Sequence, residues 1–178
     1  SVHETESENE LDVVFHASVD ACWHIYSQFL NDPNGPLPTY FEVEVPDGVE
    51  KVVDVTECDP LVEYDPNFMM DLKFFEEEVY WVQKIRSDAA ARHGNVTGFL
   101  SFMVCDASRC LPPEHIDLAI ALDDILPPLL TYCPESQHLC GDHDAEDHEE
   151  PMEAESGILE PVVWDVNIYE NGDAFELV

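Results

Sequence analysis

Phe102-Met103-Val104-Cys105-Asp106-Ala107-Ser108-Arg109-Cys110-Leu111-Pro112-Pro113 is the stretch around which the chain reads. Apolar residues lead into Cys105, four mostly polar residues follow, and Cys110 precedes a leucine and a double proline. Residues 95–104 before it and 115–122 after it have the composition of strands. A short polar loop between two apolar runs predicts a hairpin, with both sulfurs at its mouth. A disulfide needs Cα atoms about 4.4–6.8 Å apart, which a hairpin mouth supplies. By spacing alone, such a disulfide in a small β-domain reads more readily as a staple than as a reagent. A lone C-x4-C lacks two ligands for zinc, and it is not the C-x-x-C of a thioredoxin active site. Arg109, one of three arginines, sits beside Cys110. A cation there favours the thiolate, while Asp106 and Glu114 oppose it.

Outward from this centre the chain keeps to short strands. Residues 10–18 alternate, with Leu11, Val13, Phe15 and Ala17 on one face. Residues 22–30 are rich in aromatics, and residues 31–38 hold three prolines and a glycine, which excludes regular structure. Residues 40–45 alternate again and end at the turn Pro46-Asp47-Gly48. Short apolar runs follow at 52–55, 72–75 and 79–85, with no amphipathic helix of three turns before residue 125. The pattern predicts an all-β fold, a β-sandwich. Residues 123–132 are expected to leave it.

Charge narrows the function. Forty acids against six Lys and Arg give a formal net charge of −34. Residues 141–160 carry nine of the acids and no Lys or Arg, so the rest of the chain stands near −25. A general nucleic-acid binder is excluded, since phosphate contacts need Lys and Arg. A solvated acidic surface adapted to high salt fits best, because ions screen its self-repulsion. Calcium binding is the other reading, but the sequence has no D-x-D-x-D-G loop with a trailing Glu. Six cysteines favour an oxidising compartment. No signal peptide and no apolar run of about 18 residues appears, so this piece is expected to be soluble, without direct membrane insertion.

The run from Met103 to Glu114 resembles the signature of the N-terminal, extracytoplasmic domain of the thiol:disulfide interchange protein DsbD. Two further stretches match that family in order. Trp23-His24-Ile25-Tyr26-Ser27-Gln28 is similar to its early aromatic strand, and Asp65-Pro66-Asn67-Phe68-Met69-Met70 to its mobile cap segment. The resemblance spans about residues 1–125 and implies an immunoglobulin-like β-sandwich. It implies Cys105 and Cys110 as the catalytic pair, with Phe68, His24, Tyr26 and Arg109 around them. Phe68 would be the cap, an apolar ring over the sulfurs that keeps out water and stray thiols. His24 stands where better-known members carry Tyr, and Pro66-Asn67 where they carry an acidic pair. Cys22 occupies a turn position where the family usually has glycine.

The implied activity is protein-disulfide reductase, passing reducing equivalents to thioredoxin-like extracytoplasmic proteins. Electrons would arrive from the membrane-embedded and thioredoxin-like segments of the same full-length protein. The location implied is periplasmic, tethered to the inner membrane, with no cofactor beyond the redox-active disulfide and no metal. The alternative is a non-catalytic immunoglobulin-like adhesion or assembly module, in which Cys105–Cys110 is a permanent structural disulfide.

Several residues carry a bland reading beside the sharp one. Trp23 is expected to pack the sandwich, with His24 and Tyr26 on the opposite face. An exposed strand histidine is as good a reading of His24 as a proton carrier, and Phe68 by itself reads as a loop residue in a local cluster. Four cysteines outside the motif allow three pairings, Cys22 with Cys58 among them. Cys133, His138, Cys140 and His143 fit no standard zinc spacing, and a Cys133–Cys140 disulfide is the better expectation.

Three segments result. Residues 1–127 form the sandwich, 128–157 an acidic flexible linker, and 158–178 a strand-like C-terminal β-hairpin around the turn Asn171-Gly172. The last segment follows the plan of the chain's own start. Val2 matches Ile168, and Leu11-Asp12-Val13 resembles Phe175-Glu176-Leu177. Residues 158–178 therefore read as the opening of a second, truncated copy of the domain. Residues 161–168 are expected to add to the sandwich edge as a donated strand, with Trp164 buried.

Overall fold

A computed structural model describes residues 1–30, 32–129 and 133, together with the backbone of strand 162–164. The strands are β1 (Val2–Glu4), β2 (Glu10–Val19), β3 (His24–Tyr26), β4 (Tyr40–Glu44), β5 (Val49–Lys51), β6 (Thr56–Glu57) and β7 (Leu61–Asp65). They continue with β8 (Met70–Phe75), β9 (Glu78–Ser87), β10 (Asn95–Phe102), β11 (Val104–Cys105), β12 (Glu114–Ala121), β13 (Ile125–Leu126) and β14 (Val162–Trp164). A single 3-10 turn, Ala89–Ala91, is the helical element among the described residues. The fold is an all-β, immunoglobulin-like sandwich.

One layer is the sheet β13-β1-β2-β9-β5, with β14 also on β2 and β6 also on β9. The other layer consists of two smaller sheets, β12-β10-β4 and β11-β3-β8-β7. A shared core joins them, because alternation turns one face of each strand inward. Leu11, Val13, Phe15, Ala17 and Val19 of β2 are buried there, facing Val96 and Leu100 of β10, Leu118 of β12, and Ile25, Phe75 and Val104. Trp81 is fully buried between Phe41, at 5.4 Å between ring centroids, and Phe75, at 6.1 Å. Each such apolar side chain stabilises the fold by about 1.5–3 kcal/mol relative to exposure. Val14 and Asp12, on the other face of β2, are buried as well. Gly98 of β10 has φ +137°, and a Cβ there would fall 1.9 Å from the Glu42 carbonyl oxygen, so the β10–β4 approach requires glycine.

The hairpin predicted around the cysteines exists, but its strands end before the sulfurs. β10 and β12 pair from Asn95↔Ala121 to Phe102↔Glu114. Pro112 and Pro113 have no N–H to continue the ladder. The outgoing chain therefore changes sheets at Met103, and Val104 and Cys105 pair with Ile25 and His24 of β3.

Of the segment 123–132 expected to leave the sandwich, residues 125–127 stay on it. Ile125 and Leu126 run parallel to β1, and the buried His3 ring bonds through Nδ1 to the Pro127 carbonyl at 2.8 Å. Further on, Cys133 is disulfide-bonded to Cys58, with Cα atoms 5.4 Å apart. This overturns the expected Cys133–Cys140 disulfide and removes Cys22–Cys58 from the three open pairings. Folding brings together cysteines 75 residues apart, a proximity that local spacing does not encode. Cys22 is itself disulfide-bonded and has φ 67°, the left-handed conformation for which glycine is the ordinary choice. With Cys133 bonded to Cys58 it is not free to ligate a metal, and His138, Cys140 and His143 lie outside the described residues. So do most of the expected linker and C-terminal hairpin, Asn171-Gly172 included. Val162–Trp164 is described by its backbone alone, and it pairs antiparallel with β2.

Candidate functional site

Cys105 and Cys110 face each other across a small turn built onto the end of the larger hairpin. Leu111 N–H donates to the Val104 carbonyl at 3.0 Å and Asp106 N–H to the Arg109 carbonyl at 2.9 Å, which brackets the pair. The two cysteines form an isolated antiparallel bridge and a disulfide, with Cα atoms 4.0 Å apart. The Asp106 carboxylate shapes the turn. Its Oδ1 accepts from Ser108 N–H at 2.7 Å, Ser108 Oγ at 2.7 Å and Arg109 N–H at 2.8 Å. Burial pushes its acidity the other way, but the Ser108 and Arg109 bonds outweigh it and hold the carboxyl below its ordinary value.

The two sulfurs are not equivalent. Cys105 is completely buried, whereas Cys110 is half-buried. Both belong to a second, smaller cluster on the outward face of sheet β11-β3-β8-β7, with Tyr26, Leu72, Phe74 and Met103 buried in it. Phe68, half-buried, packs into the same cluster and stands edge-on to the Tyr26 ring at 6.0 Å. Phe68 therefore lies in the same cluster as the two cysteines. It is carried by the turn between β7 and β8, where Asn67 N–H donates to Asp65 Oδ1 at 2.8 Å and Met69 N–H to the Asp65 carbonyl at 2.8 Å. The Asn67 side chain then crosses to the cysteine turn and donates to the Asp106 carbonyl at 2.8 Å.

Beside Cys105 lies a buried polar group. The Tyr26 hydroxyl donates to Asp65 Oδ2 at 2.5 Å. His24 Nε2 is 3.1 Å from that hydroxyl and 3.3 Å from the same carboxylate oxygen. All three residues are buried, and His24 is the direct cross-strand partner of Cys105. The exposed-histidine reading of His24 is thus corrected: its ring stacks obliquely on Phe74 at 4.6 Å. Burial lowers its pKa, against the opposing pull of the Asp65 charge. Burial and the bond to Asp65 both push the Tyr26 hydroxyl upward, so it keeps its proton. The arrangement can hold and move a proton next to a sulfur. The end of β3 is fixed by Glu57, which accepts from Ser27 Oγ, from Gln28 N–H at 2.9 Å and from Trp81 Nε1 at 3.3 Å.

Arg109 is held by its neighbours. Its guanidinium lies over the half-buried Trp23 ring, 5.4 Å from the centroid, and its Nε reaches Asp106 Oδ2 at 3.4 Å. That carboxylate is the one expected from the sequence to oppose the cation beside Cys110. Asp65 and Asn67 were missed as site residues. Asp65-Pro66-Asn67 does carry the signal of a side-chain-capped turn, but nothing local says that this carboxylate reaches β3. Among the described residues no group of three or more His, Cys, Asp or Glu is placed to hold a metal. No helix among them is long and apolar enough to cross a membrane.

No family model and no curated protein matches this chain. Among solved structures, the chain is similar to the N-terminal domain of DsbD from Neisseria meningitidis in the reduced form, at 13% identity and a TM-score of 0.43. That likeness covers 65% of this chain and 78% of the Neisseria domain.

Proposed function

We propose that the domain is a thiol–disulfide oxidoreductase module, a protein-disulfide reductase that exchanges through Cys105 and Cys110. The observation that carries this reading is the unequal burial of one disulfide, Cys105 completely enclosed and Cys110 half open beside the cluster into which Phe68 packs. A permanent staple gains nothing from such asymmetry, whereas exchange needs one sulfur that a partner reaches and one that waits behind it.

In the reducing direction, the Cys110 thiolate attacks one sulfur of a partner disulfide. A mixed disulfide forms and the partner's other sulfur leaves as a thiolate. The Cys105 thiolate then attacks Cys110 Sγ, expelling the partner's remaining thiolate and forming Cys105–Cys110. The partner gains two electrons and takes up two protons; the domain loses two electrons and the two protons of its thiols. In this reading His24, the cross-strand partner of Cys105, takes the proton that Cys105 gives up, with the Tyr26–Asp65 pair bonded to it. The partners fitting this role are thioredoxin-like extracytoplasmic proteins, with re-reduction by membrane and thioredoxin-like segments of the full-length protein. The site of action is then extracytoplasmic, at the inner membrane.

The reduction potential of Cys105–Cys110 tests this. A value above about −300 mV marks an exchanging pair, and a value well below it marks a structural one. The second result would make the domain a non-catalytic adhesion or assembly module.

A further inference from the structure

The outward face of sheet β12-β10-β4 carries a pattern that neither the core nor the cysteine pair uses. Directly opposed residues of antiparallel strands share a face. The register therefore sets Tyr40, Ser101 and His115 in one row across the three strands, and Glu42, Phe99 and Asp117 in the next. Val43, Leu100 and Leu118, which alternate with them, are buried in the core. Both rows thus face outward. Tyr40, Glu42, His115 and Asp117 are exposed, and Phe99 is half-buried.

The rings are continuous across the sheet. Phe99 stands between Tyr40, at 5.9 Å between centroids, and His115, stacked at 4.5 Å. In its own row Phe99 has a carboxylate residue on each side, Glu42 on β4 and Asp117 on β12. Neighbouring strands lie about 4.8 Å apart, so both side chains are within reach of a group resting on the Phe99 ring.

Charge says what that group is. A ring face carries negative potential, and a carboxylate beside it adds to the same field. Ring packing alone is served as well by neutral neighbours, whereas two flanking acids set like charge against the ring face. The missing complement is a cation. The chain's own fixed cations do not supply it: all six Lys and Arg lie between Lys51 and Arg109, and none is on β4, β10 or β12.

We propose that this face is a docking site for an arginine-bearing segment of a basic partner protein. A guanidinium stacks flat on the aromatic surface and donates to Glu42 or Asp117. Lysine brings the charge without the plane or the fork. A net charge of −34 also draws a basic partner in over distance. The face does not include Cys105 or Cys110, so the proposal stands apart from disulfide exchange.

Titration of the full chain with acetylated, amidated tetra-arginine at about 0.15 M salt, followed by NMR, tests it. The ring resonances of Tyr40, Phe99 and His115 should shift together, and tetra-lysine should bind more weakly. Phe99→Leu keeps an apolar side chain on the strand and should weaken binding by about three- to five-fold. Glu42→Gln should weaken it as well. Glu6→Gln, the same change of charge on the β1–β2 turn, should not. Equal weakening by Glu42→Gln and Glu6→Gln, or unchanged affinity in Phe99→Leu, means attraction by diffuse charge and overturns the proposal. A dimer of the free protein that Phe99→Leu dissociates makes the occupant a second copy and overturns it too.

Discussion

The side-chain amide of Asn67 donates to the main-chain carbonyl of Asp106 at 2.8 Å, tying the turn that carries Phe68 to the turn that separates Cys105 from Cys110. The two turns are thus joined by a single side chain, one residue before the ring that the proposed function takes as a cap. A link of this kind then bears on exchange kinetics.

A neutral hydrogen bond contributes about 1 kcal/mol net, a factor of about five in an opening equilibrium. Asn67→Ala should therefore let a small thiol reduce Cys105–Cys110 about five-fold faster. Phe68→Ala should also speed alkylation of the reduced pair, with the fold nearly intact because Phe68 lies outside the main core. Stopped-flow rates check both, and unchanged rates would leave Phe68 a packing residue.

In the proposed exchange, the buried Cys105 and the partly exposed Cys110 take different roles. Cys105→Ala should trap a mixed disulfide between Cys110 and a thioredoxin-like partner, and Cys110→Ala should trap none. Non-reducing electrophoresis reads the outcome. Equal trapping by the two variants, or none by either, would remove the assignment.

Acid should weaken the site. The pKa of His24 is lowered in the folded state from 6.5. Between the lowered value and 6.5 the unfolded chain binds more protons at this residue, so stability rises with pH across that window. The contribution is fully present above 6.5 and is lost as pH falls through the folded value. His24→Gln should flatten this part of the profile, measured by denaturant unfolding between pH 7 and pH 4. A variant with the same slope as the parent would remove His24 as its source.

Salt should stabilise the fold. With a remainder near −25 outside the acidic segment, self-repulsion is largest at low ionic strength. Several of the few bases are already engaged, Lys84 with Asp12 and Arg86 with Glu10. Tm should rise by about 5 °C or more from millimolar to molar KCl. A flat Tm would return attention to specific cation binding.

What the sequence determined by itself is what rests on local chemistry. Period-two alternation along residues 10–18, the short apolar runs at 72–75 and 79–85 and the punctuation by Pro, Gly, Asn and Asp specify strands and turns whatever their partners. Short loop closure alone brings Cys105 to Cys110. Only the tertiary structure decided which edges meet. The prolines at 112 and 113 end one ladder, and β3, remote in sequence, supplies the next; that exchange sets His24 against Cys105. The β7–β8 turn lands on the same face, and so Asp65 closes on Tyr26 and Asn67 on Asp106. Cys58 finds Cys133 by the same route. Strand partners are chosen by the burial of a shared core, a sum over the whole chain, so no window of residues contains the choice.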